Sequence, residues 1–305
     1  MKADDDEDAT AGYIAILGGT VAVTAGDDGV IAQTDTIVGD GELTVSAVDD
    51  AVKGEASVVL GGGTVTVTAS YEGVEAATIA LVGADVDVTA SDDGVNAASD
   101  TATERWILIS AGSVVVSADG DGLDANGALT MTGGDVVVNG PTNDGNGALD
   151  VDGAFDVSGG TLAALGSAGM AVSPSADSAQ GWIAATVDAP AGSSVVVTDS
   201  SGAEVATLAA SKATASVVYS SDAIVTGETY TVTVDGGASV DVVAGVAAAG
   251  GMGGPMGGGG QMGEPPAGGP MGGGEMGEPP AGGPMGGGTG EPPAAGAGAG
   301  ATTDS

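Results

Sequence analysis

The residues with the clearest chemical potential in this chain are acids that return at one place in a repeated motif. The motif, about thirteen residues long, reads TVAVTAGDDGVIA from Thr20, ELTVSAVDDAVKG from Glu42, TVTVTASYEGVEA from Thr64, DVDVTASDDGVNA from Asp85 and SVVVSADGDGLDA from Ser113. Its ninth place holds Asp28, Asp50, Glu72, Asp93 and Asp121. Its eighth place adds Asp27, Asp49 and Asp92, with Tyr71 and Gly120 in the other two copies. If the copies stack as strands, equivalent acids lie ~4.8 Å apart, and each pair repels by about 0.9 kcal/mol in water and several-fold more where solvent is excluded. Such a row calls for protons or cations. Near neutral pH a hard divalent cation fits best, and calcium suits it because it takes roughly 6–8 oxygens at flexible geometry. Outward residues two or three places on, Glu75, Asn96 and Asp124, add to the rim. Lys53 takes that position in the second copy and lowers the local demand for metal. Asp-Asp-Gly is also ordinary turn chemistry, since Asp bonds nearby backbone and Gly accepts positive φ. A turn role, structural calcium and calcium that bridges a ligand are therefore all open at this point.

Composition excludes several other chemistries. The chain has no Cys and no His, which removes disulfide scaffolds, thiol nucleophiles, Ser-His-Asp arrangements and ordinary zinc sites. Acids number 42 against 4 bases, for a formal charge of −38. Nucleic acid is thus not an expected partner, because phosphate binding needs Lys and Arg. Anionic membrane surfaces are disfavoured for the same reason. No run of apolar residues is long enough to span a bilayer. The start, MKADDDED, lacks the apolar core of a signal peptide, and the repeat is under way by Ile14, so the expectation is a chain that begins inside a longer precursor.

The elements that must position the acids follow from the repeat. Copies begin at Thr20, Glu42, Thr64, Asp85, Ser113 and Asp135, hence 22, 22, 21, 28 and 22 residues apart. Periods in this range mark solenoids, whereas a propeller blade needs ~40–45 residues. Places two and four are apolar in every copy, as in Val21 and Val23 or Val65 and Val67, with polar or small residues mostly between. That alternation describes a strand with one buried face. A second short strand follows the acidic turn, and a third precedes the next copy, as in Ile14-Ala15-Ile16-Leu17. Three short strands per ~22 residues make one coil of a right-handed parallel β-helix. Aromatics are only 2% of the chain, and Val, Ala, Ile and Leu suit a narrow bore. The 28-residue interval contains Thr101-Ala102-Thr103-Glu104-Arg105-Trp106, which is expected to loop out on one face.

The resulting division is an acidic disordered N-terminus at 1–11, a parallel β-helix at 12–180, a β-rich cap module at 181–245 and a disordered Gly/Pro/Met-rich tail at 246–305. The cap reads as antiparallel strands at 182–187, 194–198, 204–208, 215–219 and 229–234, which would cover the open end of the helix. In the tail, MGEPPAGGPMGGG occurs at Met262 and again at Met276, a low-complexity pattern that cannot offset ordering entropy.

The turns DDGV, YEGVEA and DDGVNA, the passage NGPTNDGNGALDVDGAFDVSGGTL and the strand GETYTVTV together resemble the bacterial carbohydrate-binding domain family of parallel β-helices. The resemblance spans about residues 12–240, in the family's order as well as its spacing. It implies an extracellular or surface-attached, noncatalytic protein that carries calcium and binds cellulose or pectic acid sugars. It also implies calcium at Asp27, Asp28, Asp49, Asp50, Glu72, Asp92 and Asp93, as acidic turn residues of matching coils.

A binding module is the expected function. Pectic polymers are anionic like this surface, so calcium held by the acidic row, Asp121 included, would bridge the two. Tyr71 and Trp106 are candidate stacking platforms, with Glu75, Asn96, Arg105 and Asp124 around them, while Trp182 reads as a core or cap residue. The chain is expected to be a monomer. A structural or adhesive surface solenoid is the alternative. A pectate lyase-like enzyme rests on fold analogy alone, with Lys53 or Arg105 as the base, and no motif supports either.

Overall fold

A computed structural model describes residues 1–248 except Asp6 and Ala9. The tail expected from 246 onward therefore lies outside the described residues, apart from its first three positions. No helix forms among the described residues.

The chain opens with β1 (Lys2–Ala3), β2 (Ile14–Thr24), β3 (Val30–Ala32), β4 (Asp35–Ser46), β5 (Val52–Leu60) and β6 (Thr64–Ala69). It continues through β7 (Val74–Ala90), β8 (Val95–Ala97), β9 (Trp106–Ala118), β10 (Leu123–Ala125), β11 (Ala128–Asn139), β12 (Leu149–Val151) and β13 (Phe155–Gly166). All pairings among these thirteen strands are parallel. One register column runs Ile14, Thr36, Val58, Ile79, Ile107, Leu129 and Phe155, so the described residues make seven coils of an all-β solenoid.

Period-two alternation builds the bore. Leu43, Val45, Val65, Val67, Val114 and Val116 point inward and are fully or almost fully buried. Each such side chain contributes about 1.5–3 kcal/mol on leaving water. Thr36 interrupts the apolar column, but its Oγ1 donates to the Lys53 carbonyl at 2.7 Å, so its burial leaves no unpaired donor. The one Phe of the chain, Phe155, fills the last coil.

Cap formation departs in one respect from a separate module. The strands β14 (Trp182–Ala189), β15 (Ser194–Asp199), β16 (Glu204–Ala209), β17 (Thr214–Ser220) and β18 (Thr229–Val234) match the expected five, and β19 (Ser239–Val243) is additional. However, β17 pairs antiparallel with β13, and β14 pairs with β17, so these two strands extend the solenoid's own sheet. The four-stranded sheet β16-β15-β18-β19 then packs on their outer face. Consequently β14 and β17 bury both faces: Trp182, Ala184 and Val218 close the bore, while Ile183, Ala185, Val217 and Tyr219 face the second sheet. Trp182 is 3% exposed and its indole Nε1 donates to the Ser175 carbonyl at 3.1 Å, a cap residue as its sequence context indicates.

Residues 1–3 are ordered, at the start of the segment expected to be disordered. β1 pairs in register with β3, Lys2 with Ile31 and Ala3 with Ala32, and the Met1 ammonium donates to the Gly29 carbonyl. The first turn of the solenoid offers an unpaired strand edge there, and backbone pairing outweighs the repulsion of the acids that follow.

Candidate functional site

The acidic turn lies at the corner between the motif strand and the short strand that follows it in each coil. There the backbone itself sets the stacking: Gly29, Ala51, Gly73 and Gly94 donate their amides to the carbonyls of Asp50, Glu72, Asp93 and Asp121 in the next coil, at 2.8–3.0 Å. The ninth-place residues are thereby locked into one column. A glycine follows the acid in four of the five copies, Ala51 being the exception, and at Gly94 a Cβ would meet the Val116 side chain and the Gly122 carbonyl. Beside this column runs a second one, Ile31, Lys53, Glu75, Asn96, Asp124 and Asp150, three residues on.

Among the described residues, these columns and the eighth-place Asp27 and Asp49 gather carboxylates into three groups, each with ligand atoms within 4.8 Å of one another. They are Asp27, Asp28 and Asp49; Asp50, Glu72 and Glu75; and Asp93, Asp121 and Asp124. The single row expected from the repeat is thus divided, and Glu75 and Asp124, expected at a sugar rim, join the acids. Asp92 lies outside the three groups and faces the Tyr71 hydroxyl, whose pKa it raises by hydrogen bonding. Gly120 gives way to this corner: a Cβ there would lie 2.5 Å from Asp93 Oδ1 and 2.6 Å from Asp92 Oδ1.

Burial makes these carboxylates hard to ionise. Desolvation, reinforced by neighbouring acids, pushes Glu72 up to about 8, Asp124 to about 7 and Asp121 to about 6. It also raises Asp28, Asp93 and Asp150. Asp50 rises to about 6 through desolvation and its contact with Glu75, although Lys53 opposes the shift. Part of the row is used as turn chemistry. Asp93 Oδ1 accepts the Asp121 amide at 2.7 Å, and Asp121 Oδ1 accepts the Gly147 amide at 2.6 Å.

The groups differ in what neutralises them. Lys53 Nζ reaches Asp50 Oδ2 at 2.7 Å and Glu75 Oε2 at 2.6 Å. Burial would lower the Lys53 pKa, but these two contacts raise it above the ordinary lysine range. The third group has Asn96, which donates from Nδ2 to Glu72 at 3.2 Å and to Asp93 at 3.4 Å. Asn96 is 8% exposed, and its Oδ1 is buried with no hydrogen-bond partner. The three carboxylates are an oxygen-only group of the kind that hard cations take, and the Asn96 amide next to Asp93 leaves a buried oxygen without a partner.

The 28-residue interval forms a loop at residues 98–105. It is held by Arg105, whose Nε donates to the Asn126 carbonyl and whose Nη1 donates to the Ser99 carbonyl, both at 3.1 Å. Ser99, Asp100 and Thr101 then wall a polar cleft of about 340 Å³ against Lys53, Glu55 and Glu75. Trp106 is not in the loop but opens β9, half-buried and paired with Thr78 and Ala128, because its place in the register is taken up by the ladder.

A family model described as "Carbohydrate-binding domain-containing protein" matches residues 1–50 and 35–248. The chain belongs to this family. No curated protein and no solved structure matches it. Within this carbohydrate-binding domain, Tyr71 is exposed and stands beside the acidic column, whereas Arg105 serves the cleft by tethering its loop. Two residues were not anticipated from the repeat. Asp150 pairs with Asp124 in register, and Asp152 follows on the same turn; both raise the Asp124 pKa. Their signal was the tripeptide Leu149-Asp150-Val151, which repeats the pattern of Leu123-Asp124-Ala125 after an enlarged turn.

Proposed function

We propose that this carbohydrate-binding domain acts outside the cell as a noncatalytic polysaccharide binder, using the acidic turn face with calcium held in its carboxylate groups. The observation that carries the reading is a polar cleft, walled by the solenoid's insertion, that shares Glu75 with the middle one of three carboxylate groups. Asp93, Asp121 and Asp124 form the donor set best suited to a cation. Asp27, Asp28 and Asp49 form a more exposed second one. Calcium there would supply positive charge at a surface that otherwise repels acid sugars. The chain's own residues do the rest: Ser99, Thr101 and Glu55 offer hydrogen bonds, and Tyr71 an exposed ring. Pectic acid polymers suit such a bridged surface, and neutral glucans such as cellulose need only the hydrogen bonds and the ring.

A noncatalytic role is supported by the two candidate bases. Lys53 is bound to two carboxylates, and Arg105 is spent on main-chain carbonyls. Lys53 lines the cleft but its two carboxylates hold it protonated, which opposes a role as base.

A glycan array with and without calcium tests the reading. Acid-sugar polymers are expected to bind with calcium and release in excess chelator. Retention in chelator overturns the bridge, and an array without any hit overturns carbohydrate binding on this face and favours a structural surface solenoid.

A further inference from the structure

The two ends of the solenoid are finished differently. At the far end, residues 161–166 of β13 carry no charge, and their edge is covered by the antiparallel strand β17 from Leu162–Ser220 to Gly166–Ser216. At the near end, β2 is eleven residues long and pairs with β4 alone among the described strands. β1 covers β3 over two residue pairs and leaves β2 untouched.

Burial records the difference. In the coils behind it, Leu43, Val45, Val65 and Val67 are sealed, but their counterparts Val21 and Val23 are only partly buried. Tyr13 and Leu17, on the outer side, are 66% and 73% exposed. No residue from 13 to 26 is charged, in a chain whose formal charge is −38. Edge strands are ordinarily protected by charge, proline or a covering segment, and this one has none of them among the described residues.

We propose that the outer edge of β2 is a homotypic docking surface, pairing antiparallel with β2 of a second copy across a twofold axis near Ala22. Three observations favour a second copy over other occupants. The molecule itself shows that an uncharged end strand of this solenoid takes an antiparallel partner. An identical strand supplies that partner with the same half-buried valines, as an isologous contact requires. A highly acidic copy can approach closely only where both surfaces lack charge, and this edge meets that condition. The contact is small: β2 turns at Gly18 and Gly19, so only residues 20–24 of the two copies lie opposite one another, about 17 Å of edge at ~3.3 Å per residue and less than the ~1,000 Å² of a stable complex. Pairing should therefore be weak at low salt, where charge alone keeps the chain monomeric, and stronger when salt shortens the screening length from about 30 Å at 0.01 M to about 3 Å at 1 M.

Sedimentation of the full chain across sodium chloride concentration, without polysaccharide or calcium, reads this directly. A monomer at low salt that becomes a dimer near molar salt is expected, and Val23→Lys should remain monomeric throughout with its melting curve kept. The chain has no cysteine, so single-cysteine variants provide the second measurement. Ala22→Cys places two thiols opposite one another across the axis and should cross-link many-fold faster than Val137→Cys, an exposed residue on a distant coil. If Val23→Lys fails to fold, the cysteine pair decides. Monomers at every salt concentration with equal cross-linking of the two variants overturn the proposal, and so does a ladder of higher oligomers, which signals a head-to-tail contact.

Discussion

Asp50 and Glu75, grouped with Glu72, meet a lysine, whereas Asp93, Asp121 and Asp124 meet only neutral donors among the described residues: the Asn96 and Asn126 side-chain amides and the backbone amides of Asp121 and Gly147. Both groups sit on the same pair of register columns. One substitution at the second column, Lys53 for Asn96 or Asp124, changes how the charge is balanced. The difference teaches that a repeated scaffold can hold one carboxylate group with its own cation and leave another to protons or metal. Sequence periodicity treats the coils as equivalent, but electrostatics does not.

The broadest way to break this comparison is to titrate the protein without divalent cations. Glu72, Asp124, Asp50 and Asp121 have folded pKa values of about 8, 7, 6 and 6, above their ordinary values of 4.5 for Glu and 3.8 for Asp. The folded state thus binds protons more tightly than the unfolded one, so the stabilisation is present near pH 4 and is lost as pH rises through 8. Thermal melting should show a falling Tm over that window. Saturating calcium should flatten the curve, and a flat curve in chelator would falsify desolvation as the source of these shifts.

Lys53→Met attacks the balanced group. It leaves Asp50 and Glu75 without their cation in a half-buried site, at a cost of about 2–3 kcal/mol in denaturant unfolding without metal. Calcium should recover most of that loss, because the variant turns a self-neutralised group into an oxygen-only one. A variant as stable as the parent in chelator would show that Lys53 balances nothing.

Asp124→Asn should act in the opposite direction. Removing one of three mutually repelling carboxylates is expected to stabilise the metal-free protein by about 1 kcal/mol and to reduce its calcium response. Calorimetry of calcium binding separates the two effects. Destabilisation in chelator would mean that Asp124 holds the turn rather than strains it.

The smallest effect is expected for Arg105→Ala. Freed from Asn126 and Ser99, the 98–105 loop should lose its fixed wall, lowering polysaccharide affinity several-fold with the calcium response unchanged. Equal affinity in a binding isotherm would remove the cleft from the site.

Much of this architecture is legible from residues alone. Val65 and Val67 sit inside because strand side chains alternate with period two, and the five cap strands fall where turn residues bracket β-branched runs. Legibility fails where a partner strand decides. Residues 2–3 look like an acidic tail until the open edge of β3 is known. β17 looks like part of a separate module until it is seen pairing with β13. β19 was hidden because Ser239-Val240-Asp241-Val242-Val243 alternates in a stretch too short and too exposed to stand apart from its flanks.

At the site, the repeat determines that ninth-place acids share one column, since parallel pairing of identical coils leaves no other register. It does not determine which acids meet. Asp92 turns toward Tyr71, Glu75 and Asp124 turn into the acidic groups, and Asp150 joins after an enlarged corner. Those outcomes depend on side-chain direction, corner length and local desolvation, which are properties of neighbours brought together from about 22 residues away along the chain. Sequence settles the ladder because backbone pairing is periodic; only the tertiary structure settles the partners, because carboxylates respond to whatever group shares their few ångströms of excluded solvent.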